Sequence, residues 1–360
     1  MSLPEIEVMV GQMMVVELRG TELCEEHRKL LQSGLVSGFL LFPGNDARPE
    51  EVRELTDSVR KIAAEYPAIL AVDQEGGRVL RLKAGFTPIP CMRKLGAKAD
   101  ENLAFEVGRV LGAELRAVGI NTDFAPVVDL ELNPENEVIG DRALHSDPEL
   151  VGRLGSALIH GLHSEKIAAC AKHFPGHGAS REDSHLELPA VSADQNTVRG
   201  RELKPFQRAI AAGVESVMVG HLLYPAFDKY YPASLSERLI TGLLREEMGF
   251  EGVVIVDALE MKALEGIPLE DRAFMAARAG ADIMLVSEGM ENARRVHMAL
   301  CQAVSMGALA VDKVVSAYQR VMNLKARLLK QEDLPAIDSL QKMVSSDAGR
   351  RLAAGIQEPR

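Results

Sequence analysis

Short, uninterrupted apolar runs alternate with amphipathic stretches from near the N-terminus to about residue 330. Eight of these runs predict strands, at residues 13–18, 36–42, 69–73, 120–125, 168–173, 216–221, 252–257 and 282–286. Each is continuously apolar rather than alternating, the pattern of parallel strands covered on both faces. Between and after them, a period near 3.6 predicts helices at 51–65, 102–118, 149–165, 198–212, 236–248, 292–306 and 312–330.

Eight successive β-then-α units predict a closed (β/α)8 barrel, the TIM-barrel form of the α/β class, with a possible helical extension at the C-terminus. An open, doubly wound sheet is the competing arrangement. It would call for a glycine-rich phosphate turn after an early strand, and neither GxGxxG nor a Walker A motif occurs. No Pro- or Ser-rich linker interrupts the pattern, so residues 1–330 are expected to form one catalytic barrel domain. Residues 331–360 are expected to form a tail, helical or partly disordered.

Composition narrows the partners. Forty-seven per cent of the 360 residues are hydrophobic, enough for a large core, and the net charge is −11 with a pI near 5.4. That balance argues against nucleic acid and anionic membrane, which both select a basic face. No obligate protein partner is evident either. The opening residues are acidic, with no basic and then apolar leader, and no apolar run is long enough to cross a bilayer. Cytoplasm is the expected compartment. Cys24, Cys91, Cys170 and Cys301 are scattered, without paired or metal-ligand spacing, and are expected to be reduced.

Polar residues at the strand ends carry the candidate chemistry. Strand three runs into Asp73-Gln74-Glu75-Gly76-Gly77-Arg78 and strand four into Asp123-Phe124-Ala125-Pro126. Strand five ends in Lys172-His173, strand six in His221 and strand seven in Asp257. Any one of these could be a satisfied polar group at a strand terminus. Five together point to a shared site, because barrel active sites form where the C-terminal strand ends converge. Asp257 follows Gly-Val-Val-Ile-Val, a run that belongs inside the barrel. A carboxylate there is either the partner of a basic side chain or a nucleophile aimed into the pocket.

The loop after strand five reads Lys172-His173-Phe174-Pro175-Gly176-His177-Gly178-Ala179-Ser180-Arg181-Glu182-Asp183-Ser184-His185. Asp183 and His185 are close enough for the carboxylate to orient the imidazole, the logic of a base and its orienter. The three histidines and the aspartate of this stretch, His173, His177, His185 and Asp183, could also ligate a metal. A metal-dependent barrel hydrolase would usually offer an HxH pair at the end of strand one, where Glu17-Leu18-Arg19 stands instead. Neither metal nor any other cofactor is therefore expected.

These segments resemble family 3 glycoside hydrolases, in particular the single-domain bacterial β-N-acetylglucosaminidases (β-hexosaminidases) of peptidoglycan recycling. The resemblance covers about residues 11–328. It rests on Val72-Asp73-Gln74-Glu75-Gly76-Gly77-Arg78-Val79, Asp123-Phe124-Ala125-Pro126-Val127, Ile139-Gly140-Asp141-Arg142, the 172–185 loop and Gly252-Val253-Val254-Ile255-Val256-Asp257. The long loop is the most specific of these, since it marks the branch that uses a histidine as acid/base.

The resemblance implies retaining hydrolysis of terminal β-linked N-acetylglucosamine, from small carbohydrate or muropeptide substrates. Asp257 would be the nucleophile, His185 the acid/base and Asp183 its partner. Asp73, Arg81, Arg142, Lys172 and His173 would hold the sugar. A family 3 β-glycosidase of different sugar preference is the near alternative. Ala258, where relatives often carry an acid, Leu144, where an aromatic is common, and the filling of the loop at 179–182 depart from the pattern. They bear on the leaving group more than on the chemistry. A substrate-assisted hexosaminidase would want a strand-end Asp-Glu pair and tryptophans around the sugar. The chain has no Trp, and Asp100-Glu101 opens a predicted helix.

Overall fold

In the computed structural model, residues 3–44, 46–63, 65–181, 187–329 and 334–358 are described. Eight parallel strands close into a barrel in sequential order: β1 (Met14–Arg19), β2 (Gly38–Phe42), β3 (Ile69–Val72), β4 (Thr122–Asp123), β5 (Ala168–Phe174), β6 (Ser216–Val219), β7 (Val253–Val256) and β8 (Ile283–Val286). β8 closes on β1 with Val15 opposite Leu285. Each strand leads to a helix of the outer ring: α1 (Glu25–Gln32), α2 (Pro49–Ile62), α3 (Glu101–Ala117), α4 (Pro148–Ser164), α5 (Leu203–Ala211), α6 (Arg238–Glu247), α7 (Leu269–Ala279) and α8 (Met290–Ser305). The (β/α)8 expectation holds, and all eight expected strands are present.

Several elements differ in detail. The helix expected over 198–212 is two, Gln195–Gly200 and α5, and α6 follows the wider π pattern. α1 and α7 were not legible in the pattern. α7 is rich in alanine and only its inner positions, such as Ala273 and Ala276, are fully buried, so its apolar stripe is faint.

Alternation along the strands divides the core in two. Val15, Leu40, Ile69, Ala71, Phe124, Cys170, Met218, Ile255 and Leu285 fill the barrel itself. Their neighbours Val16, Leu41, Leu70, Ala171, Val217, Val254 and Met284 pack outward under the helices. The helix after the ring, α9 (Val311–Leu329), places Val321, Leu324 and Leu328 against the inner cluster. It closes the N-terminal end of the barrel, where Lys325 Nζ donates to Gln12 Oε1 and burial pushes the amine down to about 7. Two further helices, Leu340–Met343 and Asp347–Gln357, form the C-terminal extension and pack beside α3. Among the described residues no helix is long and apolar enough to cross a membrane.

Candidate active site

The same alternation determines what faces the open end. One step beyond the apolar inner layer, the inward positions are Glu17 on β1, Phe42 on β2, Asp73 after β3, Lys172 on β5, Asp257 after β7 and Ser287 after β8. All six line one cavity of about 480 Å³ at the C-terminal ends of the strands. His173 joins them because the pairing of β5 with β6 shifts register between Lys172 and Phe174. Arg81, Arg142 and His177 reach the same cavity from the loops. The structure thus brings together six expected site residues: Asp73, Arg81, Arg142, Lys172, His173 and Asp257. Asp183 and His185 lie outside the described residues.

The Gln-Glu-Gly-Gly-Arg segment is a small hairpin, Gln74–Gly76 pairing with Val79–Leu80. Gly77 turns it at φ +58°, with Cys91 so close that a Cβ would lie 2.7 Å from its Cα. Gln74 ties the hairpin down: its Oε1 accepts from the N–H groups of Arg81 and Leu82, and its Nε2 donates to the Leu82 carbonyl. Glu75 is thereby dropped into the interior, where Lys172 Nζ lies 2.7 Å from its Oε1 and Arg142 donates to both its oxygens at 2.8 Å. Lys172 also donates to Asp73 Oδ1 at 2.7 Å.

Burial opposes ionisation of Glu75, but Arg142 and Lys172 more than offset it and hold the carboxyl far below its usual range. Lys172 is displaced upward for the complementary reason: desolvation is outweighed by Asp73 and Glu75. Glu75, Lys172 and Arg142 are therefore charged at any physiological pH, and with Asp73 they form a compact array of donors and acceptors at the cavity.

Removing the central carboxylate would leave two buried cations facing each other. Glu75→Ala should therefore cost about 3–5 kcal/mol of unfolding free energy, measurable by urea titration; a loss below 1 kcal/mol would contradict this account. The sign with pH follows from the depressed folded value. The contribution is full above about pH 4.3, the unfolded carboxyl value, and is lost as pH falls from there toward the folded one.

Asp257 is held differently. Its Oδ1 accepts the Ala258 N–H at 2.8 Å, and among the described residues no Lys or Arg forms an ion pair with it. The basic-partner explanation considered for its burial is thus not supported. Burial raises its pKa, but His173, His221, the Ala258 N–H and Lys172 together bring it below the ordinary aspartate value. It is an ionised carboxylate facing a cavity, which is the state a nucleophile requires.

Two strand-end residues play supporting parts instead of lining the cavity. Asp123 is fully buried and accepts the Gln74 N–H at 3.0 Å, with its pKa driven well above normal by desolvation. His221 lies between Ser234 Oγ at 2.7 Å and the Ala258 carbonyl at 2.9 Å, and so braces the chain immediately after Asp257. Leu144 is wholly buried in the main core, away from the cavity lining, whereas Ala258 does line it.

Sequence reasoning left out Glu75, Asp129, Glu17 and Phe42 as site residues, and weighed His177 only as a possible metal ligand. Glu75 sat in the recognised motif, and its burial between two cations was the missing information. Asp129 also closes an apolar run, Phe124 to Val128, but it lies beyond the strand expected at 120–125 and so was not counted among the strand ends. Glu17 is buried at the cavity wall beside Arg19, and burial raises its pKa. Phe42 lies under the Arg81 guanidinium, 4.7 Å from ring centroid to Cζ.

A barrel whose mouth collects ionised carboxylates, a lysine, arginines and histidines around one cavity is built as an enzyme for a small, polar ligand. The chain belongs to glycosyl hydrolase family 3: residues 5–324 match the model of its N-terminal domain. It is 39% identical over 287 residues to a β-hexosaminidase of Nitrosomonas eutropha, covering 78% of this chain and 82% of that protein. Among solved structures, a family 3 β-N-acetylglucosaminidase from Paenibacillus superposes with a TM-score of 0.94 at 38% identity, over 98% of this chain and 68% of that one. NagZ from Neisseria gonorrhoeae, solved in complex with N-trifluoroacetyl-D-glucosamine, superposes at 0.80 with 32% identity and 96% coverage of both chains.

Proposed function

We propose that this glycoside hydrolase removes terminal β-linked N-acetylglucosamine from small saccharide or muropeptide fragments, with retention, through a glycosyl–Asp257 intermediate. It is a β-hexosaminidase, as the curated relatives at about 40% identity are. The observation that carries the finer reading is the ionised Asp257 carboxylate facing a cavity that it shares with the hydrogen-bonded Asp73–Lys172–Glu75–Arg142 array.

Retaining hydrolysis needs a nucleophile on one face of the anomeric carbon and a proton donor near the leaving oxygen. Asp257 attacks from the strand end. Lys172, Asp73, Arg81, Arg142 and His173 supply hydrogen bonds to the sugar hydroxyls. The Asp183–His185 pair, assigned on the sequence resemblance, protonates the leaving oxygen. The neutral imidazole then takes a proton from the water that releases the sugar. A histidine suits both steps, since its unperturbed pKa near 6.5 lies close to working pH.

The deciding experiment compares nitrophenyl β-N-acetylglucosaminide, β-glucoside and β-xyloside. A strong preference for the first is expected; equal or better turnover of the glucoside would place the chain among the family's other β-glycosidases. None of these steps uses a metal ion, so dialysis against EDTA should leave the rate unchanged. Loss on chelation with recovery in zinc or manganese would replace this mechanism with a metal-assisted one.

A further inference from the structure

Beyond β4 the chain continues to pair with β5. Val127 bridges to Lys172 and the Val128 N–H donates to the Lys172 carbonyl at 2.9 Å, which brings the next residue, Asp129, alongside His173. Asp129 is fully buried, and both its oxygens are occupied. Oδ2 accepts the His173 backbone N–H at 3.0 Å and lies 2.7 Å from His173 Nδ1, while Oδ1 accepts the His177 N–H at 2.6 Å. Burial works against its charge, but the His173 ring, the His177 ring and the His177 N–H outweigh it, and the carboxyl lies below its ordinary value. An ionised carboxylate can only accept, so the proton between the two side chains belongs to Nδ1. The rings of His173 and His177 then meet edge to face, with centroids 6.1 Å apart, and both line the cavity.

We propose that Asp129 is a positioning residue for the glycosidase site: it fixes His173 in the Nδ1–H tautomer, turning Nε2 to the sugar, and it anchors the first turn of the loop that continues to Asp183 and His185. One buried carboxylate thus sets both a wall of the sugar site and the root of the acid/base loop. Acting only through its neighbours, it touches no substrate. Its effect is geometric, and a misplacement of about 1 Å in such a constellation costs on the order of 10²-fold in rate.

This inference rests on the cavity being the sugar site, but its primary test does not need activity. In ¹⁵N-histidine-labelled wild-type protein, at a pH where the ring is neutral, His173 should show a protonated Nδ1 and an unprotonated Nε2. A neutral Nε2–H tautomer would overturn the proposal even if hydrolysis proceeds as described. Asp129→Asn should lose this tautomer preference and lower kcat/KM on nitrophenyl N-acetylglucosaminide by roughly 10²-fold.

In a double-mutant cycle, Asp129→Asn should cost clearly less on a His173→Gln background than in the wild type, because part of its action passes through that ring. Full additivity, or a variant retaining the wild-type tautomer and kcat/KM within twofold, would refute the positioning role. Should Asp129→Asn fail to fold, the wild-type tautomer still decides. Absence of glycosidase activity alongside the Nδ1–H tautomer would count against the functional reading and not against the dyad.

Discussion

Asp257→Ala is expected to lower kcat by on the order of 10⁴–10⁶-fold, the range seen when a covalent nucleophile is deleted and binding alone remains. Sugar binding should persist and be measurable by calorimetry, because Glu75 holds both Lys172 and Arg142, and Lys172 holds Asp73, without Asp257. The folded state should survive as well. Asp257 accepts its hydrogen bond from the adjacent residue and forms no ion pair among the described residues, so its removal leaves no buried cation orphaned.

The covalent step has a direct readout. A 2-deoxy-2-fluoro or 5-fluoro glycosyl donor should label the protein, and peptide mapping should place the label on Asp257. A label on another carboxylate would overturn the assignment, with Glu17 and Asp73 as the neighbours lining the same cavity. A first product of inverted anomeric configuration would overturn the covalent mechanism altogether.

The second large effect belongs to His185, whose proposed work is proton transfer. General acid catalysis contributes roughly 10²–10⁴-fold, and its weight grows with the basicity of the leaving group. His185→Ala should therefore be crippled on natural β-1,4 linkages, whose alkoxide departs poorly without a proton. On a dinitrophenyl glycoside the intermediate should form at close to the wild-type rate, making its hydrolysis rate-limiting. Added azide should then accelerate turnover and yield the β-glycosyl azide.

Asp183→Ala should give a milder loss with a shifted pH profile. Removing a carboxylate beside the imidazole withdraws the interaction that favours the imidazolium, so the limb reporting His185 should move to lower pH. If both residues served only to hold the loop, the two variants would lose activity equally on good and poor leaving groups. Neither azide rescue nor a displaced limb would then be seen.

Much of the fold was legible because burial on two faces leaves a plain trace. Seven apolar runs became strands, β4 at Thr122–Asp123 being the one whose own residues are polar, and the sequential order around the barrel follows from short right-handed crossovers. α1 and α7 escaped because a short or alanine-rich helix needs only a thin apolar stripe. The hairpin from Gln74 to Leu80 escaped because its pairing is held by the Gln74 side chain and two glycines instead of by a hydrophobic pattern.

The candidate site divides along the same line. Asp73, Lys172 and Asp257 could be placed from the sequence, since each ends an apolar run and the barrel gathers such ends at one mouth. Contacts made across the barrel left no mark in the local pattern. Glu75 reaches Arg142 across 67 positions and Asp129 reaches His173 across 44, and neither residue's neighbours announce the partner. His221 reads the same as Asp257 in sequence, a polar residue closing an apolar strand, and Asp123 is a third polar residue in an expected strand. Which of the three faces the cavity, and which braces it from behind, was decided by inward or outward alternation and by long-range donors. The sequence by itself determined the barrel and the chemistry available at its mouth. Only the tertiary structure decided the charge state and orientation of each group, because these depend on desolvation and on partners brought together by closure of the sheet.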